Sequence, residues 1–114
     1  MTTIDLNSDV GEYATPEWLA REAELIPLIT SANIACGIHA GTPDLMRRTA
    51  RLASQHNVAI GAHPGFPDTE HFGRRDRQIQ AEEVESLLST QLNTLAGVLS
   101  SEQLMLAHVK LHGA

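Results

Sequence analysis

The residues with the most chemistry to offer are Asp9, His39, His63 and the run of His108, Lys110 and His112. Each leaves a short, apolar, strand-like stretch and enters a turn rich in glycine or proline. Gly11 follows Asp9, Gly37 and Gly41 bracket His39, Pro64 and Gly65 follow His63, and Gly113 follows His112. Polar residues delivered where a strand becomes a loop are how parallel α/β barrels and sheets build active sites. Four such strand ends in one short chain point to one converging site. Asp9 with two neutral imidazoles, His39 and His63, is a common donor set for a hydrolytic divalent metal with open positions. No local spacing enforces that arrangement. The same residues would also serve as a loop cap and two hydrogen-bonded loop histidines.

The pair His108 and His112 reads in two ways. On a helix, histidines four apart share one face and could bind zinc together. That pattern lacks the glutamate of the metalloprotease motif, and Gly113 would stop the helix at once. On a strand the two lie about 13 Å apart at roughly 3.3 Å per residue, too far to share an ion without a bend. The strand is favoured, with Lys110 and one histidine at the site and the other structural. Lys110 would hold a carboxylate or phosphate. Its alternative role, a snorkelling surface lysine, is disfavoured because its strand neighbours imply burial. Cys36, a lone thiol in an apolar strand, is expected to be inert. His56 and His71 receive no role.

These residues need elements to position them. Residues 3–9 alternate Ile4 and Leu6 with Asp5, Asn7 and Asp9, a strand period. Pro16 suits a helix start, the helix runs from 17 to 28, and Pro27 should end or kink it. Trp18 is expected to pack. Residues 29–38 form a second strand of small residues. Thr42 and Pro43 then cap a helix over 44–56, with Leu45, Ala50, Leu52 and Ala53 inward and Arg47, Arg48 and Arg51 on a solvated face. The apolar run 58–62 reads as a strand buried on both faces. The Gly/Pro-rich stretch 64–75 after it is a lid or substrate loop. An amphipathic helix spans 80–99, with Val84, Leu87, Leu88, Leu92, Leu95 and Leu99 at helical spacing. Residues 104–114 make a fourth strand. Strand-helix three times and then a strand argues a parallel sheet with right-handed crossovers. A closed barrel needs about 250 residues, so the chain reads as one partial domain, 1–114, the front half of a βα barrel truncated after its fourth strand.

The 114 residues carry a formal charge of −6, and 42% are hydrophobic. Among the basic residues only Arg74, Arg75 and Arg77 cluster. Nucleic acid and anionic membranes are therefore poor partners. No run approaches a transmembrane span, the acidic first twenty residues do not read as a secretory signal, and one cysteine permits no internal disulfide. A cytoplasmic protein is expected, with a homo-oligomer one way to pair an open sheet edge.

Five stretches, LNSDVGE (6–12), SANIACGIHAGTP (31–43), GAHPGFPD (61–68), FGRR (72–75) and HVKLHGA (108–114), resemble the LamB/YcsF family, whose members are also called the A subunit of 5-oxoprolinase. The resemblance runs in order along essentially the whole chain. It implies an irregular TIM-like βα barrel of the glycoside hydrolase/deacetylase type, about twice as long as this chain. It also implies ATP-dependent opening of 5-oxo-L-proline to L-glutamate with subunits B and C, magnesium accompanying the nucleotide. Carried onto this sequence, it makes Asp9 a general base or metal ligand and His39 and His63 ligands or oxyanion stabilisers. Lys110 binds the substrate carboxylate or a phosphoryl group, with Asp5, Asn7, His112 and Arg74 in support. Thr42 stands where the family usually has Asp, and Leu111 where it usually has Pro. No Walker-type phosphate loop is present. A stand-alone metal-dependent hydrolase or deacetylase, and an inactive binding module, remain as other readings.

Overall fold

The computed structural model describes residues 2–113. Strands β1 (Asn7–Val10), β2 (Ser31–Ala35), β3 (Ala59–His63) and β4 (His108–Val109) form one sheet in the order β1-β2-β3-β4, every pair parallel. Helices α1 (Pro16–Leu25), α2 (Pro43–Gln55) and α3 (Ala81–Ser101) make the crossovers, giving the strand-helix alternation expected from the sequence. α1 and α2 begin alike. A threonine hydroxyl, Thr15 or Thr42, accepts from the backbone N–H three residues on, and proline takes the first helical position. α1 stops at Leu25, where Pro27 tightens the chain into a 3-10 turn, Ile26–Leu28.

Strand register sorts side chains onto two faces. Val10, Ile34, Ala62 and Val109 are paired across the sheet and share the face beneath the helices. There Met46, Ala50 and Ala53 of α2, Leu95, Val98 and Leu99 of α3, and Ile26 close the core. Full burial of such side chains is worth roughly 1.5–3 kcal/mol each. This face therefore carries the stability and leaves the other free to be polar. On that other face the paired row is Asp9, Asn33, Gly61 and His108.

Several expectations need correction. β1 begins at Asn7, leaving Ile4 and Leu6 exposed. β2 stops at Ala35 because Gly37 N–H turns back to Ala40 O. β4 is two residues long, and its flanks are open: Val109 is 47% and Leu111 62% exposed, so neither implies burial of Lys110. α3 packs with its second half only, Val84 being exposed. Trp18 packs as expected, though at the surface: its ring lies against Tyr13, centroids 5.1 Å apart and tilted by 36°, with the Arg21 guanidinium over it. The arginine face of α2 is not simply solvated, since Arg47 and Arg51 both pair with Glu102 beyond α3. No helix of the described residues is long and apolar enough to cross a membrane.

Candidate functional site

The polar face of the sheet holds two layers of side chains. The lower one is built on the row Asp9, Asn33, Gly61 and His108. The Asn33 amide donates to Asn7 Oδ1 at 2.9 Å and Asp9 Oδ1 at 3.1 Å. His108 Nε2 donates across the sheet to Asn33 Oδ1 at 2.7 Å. That reach is possible only because residue 61 is glycine: a Cβ there would fall inside the His108 ring. At the foot of β1, Asp5 accepts from the Thr30 and Ser31 hydroxyls, and these hydrogen bonds, Thr30 first, hold its carboxyl below the ordinary range. Asp5 and Asn7, expected at the substrate, therefore lie under the site as its supports.

The upper layer sits where the strands run out. Glu12 follows β1, His39 the turn after β2, His63 ends β3, and His112 lies beyond β4. One donor atom from each lies within 4.8 Å of the others, and among the described residues no other such group forms. His63 Nδ1 donates to Lys110 O at 2.7 Å, and His112 Nε2 to Phe72 O at 2.5 Å. Their remaining nitrogens, His63 Nε2 and His112 Nδ1, face each other at 3.2 Å. His39 Nε2 stands 3.4 Å from Glu12 Oε2, and its ring stacks on His112 with centroids 4.0 Å apart. His39 Nδ1 is buried without a partner, pressed against Gly65, where a Cβ would be 2.6 Å away. Burial pushes the pKa of His63 and of His112 down, favouring neutral imidazoles.

Asp9 joins the layers. Its carboxylate takes the Lys110 ammonium at 3.0 and 3.3 Å and lies 3.3 Å from His63 Nε2. Burial would raise its pKa, but hydrogen bonds from Lys110 and Asn33 outweigh that and leave it below the ordinary range. The structure thus brings Asp9, His39, His63, Lys110 and His112 together. Asp9 stands outside the close donor group, whose carboxylate is Glu12. Of the two strand histidines, His112 belongs to the site and His108 to the support beneath it. Arg74 is exposed, its guanidinium 5.8 Å from the Phe72 ring centroid. Cys36 is buried, and burial pushes its thiol up to about 11.

The loop 64–75 roofs the upper layer through Gly65 and the Phe72 carbonyl. Asp68 ties it internally to Arg75 at 3.0 Å and His71 at 3.2 Å. Gln91, buried in α3, holds it from outside, accepting from Gly65 N and donating to Gly65 O at 2.8 and 2.9 Å. Sequence reasoning missed Glu12 and Gln91. Gln91 left a signal, being the polar residue on the α3 stripe between Leu88 and Leu95.

Residues 4–114 match the LamB/YcsF family. The chain is 48% identical over 112 residues to the A subunit of 5-oxoprolinase from Methylococcus capsulatus, covering 98% of this chain and 43% of that protein. It is 46% identical to the A subunit of 5-oxoprolinase from Bacillus subtilis, over 100% of this chain and 44% of the relative. The crystal structure of a lactam utilization protein from Thermus thermophilus is similar with a TM-score of 0.89 and 44% identity, over 99% of this chain and 46% of that one. The chain spans less than half the length of the relatives it matches.

Proposed function

We propose that the chain, which belongs to the LamB/YcsF family, supplies the lactam-handling face of a 5-oxoprolinase. Working with subunits B and C, that enzyme opens 5-oxo-L-proline to L-glutamate in a reaction driven by ATP. The observation that carries this reading is the 46–49% identity, along almost the whole chain, to proteins named as the A subunit of 5-oxoprolinase. In the same reading the four strands are the first half of an irregular TIM-like βα barrel, whose other half meets the open edges of β1 and β4.

The site's geometry suits the chemistry. A lactam is a resonance-stabilised amide, so ring opening needs an activated carbonyl and a positioned water. Phosphoryl transfer from ATP to the carbonyl oxygen would activate the carbon. Water addition and cleavage of the ring C–N bond, the nitrogen leaving as the amine, then give a γ-glutamyl phosphate. A second water hydrolyses it to L-glutamate and phosphate. Lys110, already gripping Asp9, would take the substrate carboxylate or the transferred phosphoryl group. An anion drawing Lys110 away releases Asp9 from the contact that depresses it, making Asp9 a better base for water. His39 would stabilise the developing oxyanion, and His63, whose one N–H is held by Lys110 O, would join it only as the imidazolium. Magnesium would arrive with the nucleotide.

The Glu12, His39, His63 and His112 group favours a second reading, a metal-dependent hydrolase acting alone. The two separate in one assay. In the 5-oxoprolinase assembled with subunits B and C, Asp9→Asn is expected to abolish ATP-dependent glutamate release while leaving the melting curve cooperative. Near-normal turnover would remove Asp9 from the mechanism. Activity without ATP or partners would favour the second reading.

A further inference from the structure

The upper layer contains a conflict that no protein group resolves. Carbonyl oxygens only accept, so the imidazole nitrogens facing Lys110 O and Phe72 O must carry the N–H. In neutral rings this leaves His63 Nε2 and His112 Nδ1 as bare acceptors, 3.2 Å apart and aimed at each other. Asp9 Oδ2, a third acceptor, stands 3.3 Å from the same His63 nitrogen. Lone pairs converging in a buried place call for a cation between them.

We propose that His63, His112, Glu12 and His39 bind one divalent first-row transition-metal ion. Several features agree. Ligating histidines are characteristically oriented by donating their outer N–H to a backbone carbonyl, as both His63 and His112 do. Tetrahedral bonds of roughly 2.0–2.1 Å set neighbouring donors about 3.3 Å apart. Here His63 and His112 are separated by 3.2 Å and His39 and Glu12 by 3.4 Å, with all four donors inside 4.8 Å. Three nitrogens and one carboxylate suit zinc or cobalt, whereas magnesium and calcium prefer all-oxygen shells. Asp9 is kept out because Lys110 occupies both its oxygens. A proton shared by His63 and His112 would settle only that pair.

The ligands are unequal. His39 lies nearly parallel to His112, at 9°, so an ion in the plane of the His112 ring meets His39 only after that ring tilts. His39 is therefore the weakest ligand. The inference is independent of the reaction proposed above, since its readout is metal bound and not turnover. Failure to bind zinc would leave the 5-oxoprolinase reading standing, and the reverse also holds.

The test is elemental analysis and calorimetry on the chelator-stripped chain dialysed against Zn²⁺. One zinc per chain is expected, undisturbed by excess Mg²⁺. Glu12→Gln, His63→Gln and His112→Gln should each weaken binding more than about 100-fold, beyond the 10–100-fold usual for losing an outer partner. His39→Gln should cost less, and His56→Gln, at the exposed end of α2, nothing. Circular dichroism checks folding; if His63→Gln unfolds, Glu12→Gln, on a loop, carries the test. No retained zinc in the parent chain, equal competition by Mg²⁺, or unchanged affinity in the Glu12, His63 and His112 variants would each overturn the proposal.

Discussion

The two polar layers on the sheet use the same residue types to opposite ends. In the lower layer donors meet acceptors: His108 to Asn33, Asn33 to Asn7 and Asp9, Thr30 and Ser31 to Asp5. In the upper layer His63 and His112 direct their N–H groups outward to carbonyls and turn lone pairs inward. His108 and His112 are four residues apart on one strand end, yet one completes a network and the other opens one. A satisfied network rigidifies a fold, while an unsatisfied one is a place for a ligand. Matching donors to acceptors thus separates support from site more sharply than residue identity does.

The harshest way to break the lower layer is Gly61→Ala, which drives a methyl into the His108 ring. A loss of about 3 kcal/mol is expected in denaturant unfolding, the upper end for overpacking, and adding His108→Ala should recover part of it. Asn33→Ala, which leaves His108 and Asn7 without partners, should cost about 2 kcal/mol. The comparison requires that His112→Gln cost the metal-free chain clearly less than Asn33→Ala, because it removes an acceptor facing an acceptor. Gln91→Leu should cost about 1–2 kcal/mol by stranding Gly65 N–H and C=O. It should also speed hydrogen exchange at Gly65 and Phe66 without touching the lower layer.

The smallest effect is one of pH. The Asp5 carboxyl lies below its ordinary 3.8, with Thr30 the leading cause. Its contribution is therefore complete above 3.8 and is lost as pH falls through the lower folded-state value. Thr30→Val should reduce the melting temperature slightly at pH 6, and the gap should narrow below pH 3.8. A gap that widened in acid would reverse the assignment.

The order of elements was legible because its signals are local: Pro16 at a helix start, the Thr42 cap before Pro43, the break at Pro27, and the apolar run ending at His63. The convergence of Asp9, His39, His63 and Lys110 was also legible, since parallel strands deliver their ends to one side. Glu12 was not, because it lies past Gly11 in a loop whose path depends on what packs beneath it. The role of Gly61 was hidden in the same way, since it depends on pairing with His108, 47 residues away. The exposure of Val109 and Leu111 could not be read from alternation, which fixes the face a side chain takes but not what covers that face.

The most direct measurement is the visible absorption of the chain loaded with Co²⁺, comparing His63→Gln and His112→Gln with His108→Gln. The account predicts intense bands of low-coordinate cobalt in the parent chain, lost on changing either upper-layer histidine and kept when His108 changes. Absence of bands in the parent, or equal loss in all three variants, would contradict the division of the polar face into a support and a cation site.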